Sequence, residues 1–414
     1  MHKLNLKNNI TAVLKQNKNT PRIALSLYLR INTPEEKPGV HTILNRLFMQ
    51  GTTNRTSEEL AQELEENAIE FSSDMKHDYI RFKILCLNED FNLAVEILED
   101  IIFNSHFRTF DKEVEKIKGE IIAELDSPKT KALDNYYKNI YANHFYGNTY
   151  TKILESIDSI TKEDILNAYK TILNTSKKNF TIVGDIEPSE TESILDKHFY
   201  NLENAKKSEI ENAKPTLEEN KIVTIEKDDA NQAQIIQGWL FPSMHSKEYP
   251  AIMIINTILG SSGLSSRLFL ELREKQGLAY VVRSSYETYH LGASFSVYIA
   301  TEPKNIITSL NGFKKEIEKI KTEIVSDEEL EDAKNNIIGK RQFFMETNSL
   351  QSILIGLYES EDLGFDYEEK LIKSIQSVTK EQILETAKKY FDTPKVLSIL
   401  APKQYLSELK NVIL

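Results

Sequence analysis

The chain has 414 residues, of which 40% are hydrophobic and 28% are charged, so it can form two soluble domains of ordinary size. Its formal net charge of −12 disfavours binding to nucleic-acid phosphates, and no apolar run reaches the roughly 18 residues that cross a bilayer. The polar N-terminus lacks a hydrophobic signal segment and Cys86 has no second cysteine, so we expect a cytoplasmic protein without nucleic-acid or membrane partners.

Hydrophobic patterns in the first half predict both strands and helices. Apolar residues alternate over residues 23–31 and again over 80–86, which is typical of half-buried strands. The helical spacing of apolar residues over 91–102 predicts a helix, and the run 180–183 predicts another strand. The segment 201–229, rich in Lys, Glu and Asn, is expected to be a charged linker.

The second half shows the same mixture of patterns. Residues 234–240 and 295–299 are predicted to be strands, whereas 304–321 and 327–347 are predicted to be helices. Strands and helices do not alternate strictly along the chain. The pattern therefore favours an α+β fold in which each domain is an antiparallel sheet with helices packed on one face.

A long-period repeat relates the two halves. Residues 156–173 (SIDSITKEDILNAYKTIL) and 374–391 (SIQSVTKEQILETAKKYF) share nine of eighteen residues at an offset of 218. A second pair, 111–124 and 327–340, agrees at nearly the same offset. Two matches in one order predict duplicated domains. We expect a first domain over 1–200, the linker over 201–229 and a second domain over 230–414.

The segment GVHTILNRLFMQGT, from Gly39 to Thr52, resembles a motif of the pitrilysin or insulinase-type zinc peptidases. It is most similar to the branch that contains mitochondrial processing peptidase and its bacterial relatives. That family shows G-x-x-H-x-x-E-H-x-x-F-x-G-T here, and its two histidines hold zinc on one helical face while the glutamate activates water. Gly39, Gly51 and Thr52 preserve the spacing without a gap.

The resemblance places Thr42 and Arg46 where the family has its two histidines, and Asn45 where it has the catalytic glutamate. Glu124 matches the distal glutamate ligand. Threonine lacks an imidazole, asparagine cannot accept the proton, and arginine is a permanent cation that repels a divalent metal. We therefore expect no metal or other cofactor in this chain. Arg46 and Glu124, at two ligand positions of one site, are expected to form a charge-assisted hydrogen bond.

A second segment, LGSSGLSSRLFLELREKQGLAYVVRSSY over residues 259–286, resembles the family signature S-R-L-F-x-E-x-R-E-x-x-G-L-A-Y. Eleven positions agree, from Ser266 to Tyr280. The family uses an Arg and a Tyr seven residues apart to hold the substrate beside the zinc. The resemblance thus implies that Arg273 and Tyr280 bind the peptide backbone and stabilise the oxyanion.

A lost zinc motif and a retained Arg/Tyr pair are a combination known in this family, where two paralogous subunits divide these roles. The resemblance implies a heterodimeric zinc endopeptidase in which this chain positions oligopeptides or unfolded segments and is inactive alone. A paralogous subunit with an intact H-x-x-E-H motif would supply the zinc. A non-catalytic scaffold is an alternative, as is a peptide-binding pseudopeptidase that forms homodimers.

Overall fold

A computed structural model describes residues 1–205 and 213–409, which form two β-sheets covered by helices. The first half contains β1 (His2–Asn5), β2 (Thr11–Gln16), β3 (Arg22–Arg30), α1 (Val40–Leu47), α2 (Ser57–Glu66), β4 (Glu70–Lys76), β5 (Tyr79–Leu87), α3 (Phe91–Asn104), α4 (Phe110–Asp126), α5 (Pro128–Ile140), α6 (Tyr150–Ser156), α7 (Lys162–Thr175), β6 (Lys177–Gly184) and α8 (Pro188–Phe199).

The second half repeats this mixture of elements. It contains β7 (Lys221–Glu226), β8 (Ala233–Phe241), α9 (Tyr249–Asn256), two π-helical segments (Thr257–Ser261 and Phe269–Lys275), β9 (Ala279–Thr288), β10 (Ala293–Thr301), α10 (Ile306–Thr322), α11 (Asp327–Phe344), α12 (Asn348–Ser360), α13 (Tyr367–Ser377), α14 (Lys380–Phe391), β11 (Lys395–Ala401) and α15 (Lys403–Leu409). The predicted strands and helices of both halves are present, with ends shifted by a few residues.

The strand order of the two sheets confirms the duplication. The first sheet has the order β1-β2-β6-β3-β5-β4 and the second β7-β11-β8-β10-β9, so the orders correspond once β1 is set aside. β2 pairs in parallel with β6, and β7 in parallel with β11, whereas every other pair is antiparallel. The predicted α+β class with two similar domains is confirmed.

The repeated sequence Thr-Lys-Glu begins a helix in each half. Thr161 accepts a hydrogen bond from the Asp164 N–H, and the Asp164 carboxylate accepts one from the Thr161 N–H. Thr379 and Gln382 form the same reciprocal pair at the start of α14. Each capping box satisfies two backbone donors that a helix start leaves unpaired, which explains why the two halves share these residues.

Contacts divide the described residues into two compact units. Unit 1 contains Met1–Gly119, Ile153–Glu211 and Arg341–Glu368, and unit 2 contains Glu120–Lys152, Asn212–Lys340 and Glu369–Leu414. Unit 1 thus includes α12 from the second half of the chain, and unit 2 includes α5 from the first half. The predicted domain boundaries follow the sequence repeat, whereas each compact unit combines segments from both halves of the chain. The boundaries therefore stay a prediction about which segments are homologous.

α12 in unit 1 and α5 in unit 2, here called the exchanged helices, each cover one face of the sheet in a unit that otherwise comes mainly from the other half of the chain. In unit 1, the Tyr28 hydroxyl donates to the Ile353 carbonyl of α12 at 2.8 Å, and a Cβ on Gly356 would lie 2.7 Å from the Tyr28 ring. In unit 2, the relation is reversed, because a Cβ on Gly238 of β8 would lie 2.0 Å from the Tyr136 hydroxyl of α5. Only glycine leaves room for the tyrosine in either unit. Helices therefore pack on both faces of these sheets, rather than on one.

The predicted linker lies only partly within the described residues, because 206–212 are outside them. Its last part, Lys221–Glu226, forms strand β7. The apolar residues of this strand explain the difference: Val223 and Ile225 pack against the core around α5. None of the helices in the described ranges has the length and apolarity that a bilayer crossing requires.

Candidate functional site

The three positions of the lost zinc motif share one face of α1. Thr42, Asn45 and Arg46 are each half-buried, whereas the residues between them, Ile43 and Leu44, are fully buried in unit 1. Spacing of three and four residues places side chains on one helical face. The fold has therefore kept the placement that a metal-binding helix needs, although the side chains have changed.

The backbone before α1 is also preserved. Gly39 has a φ of +103°, and a Cβ at this position would lie 2.9 Å from the Ile153 side chain. Both the backbone conformation and the lack of space therefore favour glycine. The Glu35 carboxylate accepts hydrogen bonds from the Gly39 and His41 N–H groups at 3.1 and 2.9 Å. An anion at this helix end satisfies unpaired donors and complements the helix dipole.

His41 does not replace the missing ligands. Its side chain is buried, and its Nδ1 lies 4.0 Å from the Glu35 carboxylate rather than on the face of Thr42 and Arg46. Burial lowers the pKa of His41, and the Glu35 charge opposes this shift. The imidazole is therefore part of the core at the helix start.

The Gly-Thr end of the motif supports the fold instead of binding a ligand. The Thr52 hydroxyl donates to the buried Asp100 carboxylate at 2.6 Å, which also accepts hydrogen bonds from Asn54, Arg55 and Asn104. Burial raises the pKa of Asp100, but these hydrogen bonds outweigh it and hold the pKa below its usual value. This buried carboxylate fixes the turn after α1.

The side chains on the α1 face do not fit zinc. Zinc in proteins is held by imidazole, thiolate or carboxylate ligands, and Thr42, Asn45 and Arg46 offer none of these. The Asn45 Oδ1 is buried without a hydrogen-bond partner among the described residues, so this face retains a neutral acceptor. A guanidinium beside it opposes binding of a divalent cation.

Glu124, at the position of the distal ligand, lies on an exposed face of α4. It belongs to unit 2, whereas Arg46 belongs to unit 1. The expected hydrogen bond between Arg46 and Glu124 therefore stays a prediction.

Arg273 and Tyr280, seven residues apart, are brought together in unit 2. The Arg273 guanidinium lies between two aromatic rings, 4.7 Å from the centroid of Phe269 and 4.6 Å from that of Tyr280. Its Nη1 donates to the Tyr280 carbonyl at 2.8 Å. Stacking and a hydrogen bond restrict the guanidinium, which reduces the entropy that it would lose on binding a ligand.

Tyr280 is directed outward by an irregularity in β9. Val281 faces Ala300 and Ala279 faces Thr301, so Tyr280 is an extra residue without a partner in β10. A β-bulge of this kind turns a side chain away from the regular alternation. The Tyr280 side chain is 77% exposed, and its hydroxyl forms no hydrogen bond within the described part of the chain. The phenol is therefore available as a donor to a ligand.

Other residues of the same signature support the fold. Arg267 forms a two-pronged salt bridge with Glu329 of α11, with both distances 2.6 Å. Glu271 is buried beside Lys315 at 2.5 Å, and hydrogen bonds from Lys315 and then Lys275 lower its pKa to about 2. Gly277, with a φ of +62°, ends the helix before β9. The signature thus combines residues that hold the fold with an exposed pair that does not.

Three features of this region were not predicted from the sequence. Phe269 stacks on Arg273, Leu270 and Val281 are exposed although they are apolar, and Tyr280 occupies a bulge. Phe269 matches the signature, but the match alone does not show that its ring packs against Arg273. A bulge leaves no mark in a strand pattern this short.

Two sequence models of one peptidase family match the chain. The model described as "Insulinase (Peptidase family M16)" matches residues 11–155, and that described as "Peptidase M16 inactive domain" matches residues 159–337. An "Uncharacterized zinc protease" from Rickettsia felis is 26% identical over 411 residues, which are 96% of each chain. A "Probable inactive metalloprotease YmfF" from Bacillus subtilis is 23% identical over 363 residues, covering 85% of this chain and 82% of that protein.

A solved structure has the same fold. The crystal structure of a peptidase M16 inactive domain from Pseudomonas fluorescens superposes with a TM-score of 0.87, covering 97% of this chain and 98% of that one. The sequences are 20% identical, so this likeness establishes the fold alone.

Proposed function

The chain belongs to the insulinase family of peptidases, peptidase family M16, and from this membership we propose that it is the zinc-free, substrate-positioning subunit of a heterodimeric zinc endopeptidase. The substrates are oligopeptides or unfolded segments. A paralogous subunit with an intact H-x-x-E-H motif provides the zinc, and this chain cleaves nothing by itself. The complex is proposed to be cytoplasmic, without nucleic-acid or membrane partners.

The arrangement of Arg273 and Tyr280 is the observation that supports this function most directly. The guanidinium is fixed between two rings, while the neighbouring phenol is exposed and has no hydrogen bond within the described residues. An exposed phenol beside a fixed cation suits a peptide carbonyl on which negative charge develops during hydrolysis. A pure scaffold has no use for this combination.

The chemistry of α1 supports the absence of a zinc site of its own. Thr42, Asn45 and Arg46 have the placement of the family's zinc-binding and catalytic residues without their donor atoms. A zinc ion in the partner subunit would supply the activated water. In this division, Arg273 orients the substrate backbone and Tyr280 donates a hydrogen bond to the developing oxyanion.

Reconstitution tests the proposed function. The protein purified alone should contain no stoichiometric zinc and should not cleave a quenched fluorescent peptide. The complex recovered from native cells should contain one zinc-bearing paralogue and cleave that peptide in a chelator-sensitive manner. Chelator-sensitive cleavage by the lone chain would contradict the proposal.

Replacement of the phenol tests its role within that complex. Tyr280→Phe should lower kcat by about 10²–10³, the cost of losing one oxyanion donor, with little change in KM. The matched control is Phe344→Leu, at an aromatic residue outside the signature, which should leave kcat unchanged. Equal kinetics for Tyr280→Phe and the native complex would remove Tyr280 from the mechanism.

A non-catalytic scaffold or peptide-binding pseudopeptidase is the second candidate. The relative from Bacillus subtilis, described as a probable inactive metalloprotease, favours it. The two candidates differ in the outcome of the reconstitution: a scaffold assembles with its partner but adds no peptidase activity, and its peptide binding is insensitive to Tyr280→Phe.

A further inference from the structure

Two cations of unit 2 lie against the same tyrosine ring. The Lys129 Nζ, in the first turn of α5, is 5.8 Å from the centroid of the Tyr298 ring, and the Arg283 guanidinium is 5.7 Å from it. Arg283 and Tyr298 lie directly opposite each other in β9 and β10, so their side chains project from the same face of the sheet. Tyr298 belongs to the buried core that α5 covers, whereas both cations are exposed. The ring thus brings two exposed cations together beside α5.

Neither cation has a carboxylate partner. Within residues 1–205 and 213–409, the Lys129 Nζ and the Arg283 guanidinium form no hydrogen bond or salt bridge. The first turn of α5 contains no acidic residue. Glu287, on the same face of β9 as Arg283, instead accepts a hydrogen bond from the Tyr289 hydroxyl at 3.4 Å. The positive charge beside Tyr298 is therefore not neutralised by α5 or by β9.

Another pair of cations in unit 2 shares a carboxylate instead. Lys315 and Lys275 both contact the buried Glu271 carboxylate, at 2.5 and 3.3 Å. A tyrosine ring attracts a cation through its quadrupole but carries no net charge, so Tyr298 does not neutralise either of its two cations. Two neighbouring cations repel each other, and a carboxylate supplied by a ligand would replace this repulsion with attraction. The charges at Tyr298 therefore favour an anionic ligand.

This cation pair is continuous along β9 with the candidate site. Arg283 follows Tyr280 by three residues, which is about 10 Å in an extended strand. β9 is the last strand of its sheet and pairs with β10 alone within the described residues, so a ligand can approach along it. An extended peptide advances by the same ~3.3 Å per residue. A peptide bond held at Tyr280 would therefore place a side chain about three residues away beside Arg283.

We propose that Lys129 and Arg283 form a subsite for a carboxylate of the substrate, so that the peptides held at Arg273 and Tyr280 are acidic close to the bond that is cleaved. This inference rests on the proposed peptidase function and adds the class of substrate. Both cations have long flexible stems, so each can turn from the ring to a carboxylate above β9. The Arg283 guanidinium can hold both carboxylate oxygens, whereas Lys129 adds a single charge. The net charge of −12 repels long polyanions, so a short acidic peptide segment fits this local exception best.

Paired peptides test the subsite in the isolated protein. A fluorescent, C-terminally amidated peptide with Glu three residues to each side of its central bond should bind about tenfold more tightly than the same peptide with Gln, as measured by anisotropy. High salt should remove this preference because it screens exposed charges. A Gln peptide with a free C-terminus shows whether a terminal carboxylate can take the place of the side chain. Equal affinities for the Glu peptide and both Gln peptides would overturn the proposal.

Neutralisation of the two cations tests whether they form the subsite. Lys129→Gln and Arg283→Gln, both on the surface, should each weaken binding of the Glu peptide about threefold, and the double variant should bind the Glu and Gln peptides equally. Lys131→Gln is the matched control, because Lys131 is an exposed lysine of α5 that does not contact the Tyr298 ring within the described chain. A double variant that still prefers the Glu peptide, or an equal loss in Lys131→Gln, would refute the assignment.

Kinetics of the complex separate this inference from the proposed function. With the zinc-bearing paralogue present, the double variant should raise KM for the Glu peptide about tenfold and leave KM for the Gln peptide and both kcat values unchanged. A native complex that cleaves both peptides with equal KM would keep the peptidase function and overturn the subsite. A complex that cleaves neither, while the lone chain prefers the Glu peptide, would keep the subsite and overturn the peptidase function.

Discussion

The two units share a strand order and the capped helices α7 and α14, yet they differ in which motif residues have survived. In unit 1, Gly39 and the Thr52–Asp100 pair keep the form of α1, while the residues at 42, 45 and 46 have lost the chemistry of the family. In unit 2, the exposed Tyr280 and the adjacent Arg273 match the signature. In both units the residues that hold the fold match the family motif, whereas the residues at the motif's ligand and substrate positions match it only in unit 2.

The largest expected effect comes from returning the family's residues to unit 1. If α1 differs from a zinc-binding helix only in its side chains, Thr42→His with Asn45→Glu and Arg46→His should convert a zinc-free chain into one that binds one zinc ion. Metal analysis after dialysis measures this change. Asn45→Glu alone is the control and should bind none. A triple variant that folds but stays metal-free would show that more than these side chains has diverged.

Among the substitutions that affect stability, loss of the Asp100 carboxylate should lower the free energy of unfolding most. Asp100→Ala removes the acceptor for Thr52, Asn54, Arg55 and Asn104 in a buried position, and we expect a loss of about 3 kcal/mol in the free energy of unfolding. Urea denaturation measures it. Thr42→Ala, on the half-buried face, should change stability by less than about 0.5 kcal/mol. If Asp100→Ala and Thr42→Ala lowered the free energy of unfolding equally, Asp100 would not differ from Thr42 in its importance for the fold.

The two units should also differ in their response to acid. Burial lowers the pKa of His144 in unit 2 to about 4, although the Ala213 backbone opposes this shift. The unfolded chain binds the proton near 6.5, so the free energy of unfolding falls as the pH drops from 6.5 towards 4. Asp100 in unit 1 has a lowered pKa, so its stabilisation is present above 3.8 and is lost only at lower pH.

Hydrogen exchange at pH 7 and pH 5 can resolve this difference. Amides around His144 in unit 2 should lose protection at pH 5, while those around Asp100 should keep it. His144→Asn keeps an acceptor for the Tyr146 N–H but does not titrate, so it should flatten the dependence of stability on pH. An unchanged slope in that variant would assign the acid sensitivity to another group.

The smallest effect tests the equivalence of the units. Thr161→Ala and Thr379→Ala each remove the side chain of a capping box, and each should lower stability by about 1 kcal/mol. Urea denaturation of the two variants should give similar values. A difference above about 1 kcal/mol would show that the repeated sequence has unequal structural roles in the two halves.

Much of the fold could be predicted because its signals are local. Alternation over 23–31 and 234–240, and the Thr-Lys-Glu repeat, located strands and helix starts that the structure contains. The exchange of α5 and α12 could not be predicted, since the pattern of a helix shows which face is apolar but not which sheet receives it. Ser26 and Tyr28, at the small or polar positions of β3, instead form hydrogen bonds with Ser352 and Ile353 of α12.

The candidate site was partly predictable for a similar reason. Motif spacing identified Arg273 and Tyr280, and the structure adds their contact, the Phe269 ring and the bulge that exposes the phenol. The roles of these residues, and the pairing of Arg46 with Glu124, depend on a ligand or on an arrangement beyond one unit, and they stay predictions.

The exchange of helices has a consequence for how this chain can be divided. A polypeptide cut between the repeats would give two fragments, each with a sheet lacking the helix that covers β3 and β6 or β8 and β11. Neither fragment should fold well separately, but the two together should complement each other. The same exchange between two identical single-domain chains would be a domain-swapped homodimer, and this chain corresponds to such a dimer with its two copies covalently joined.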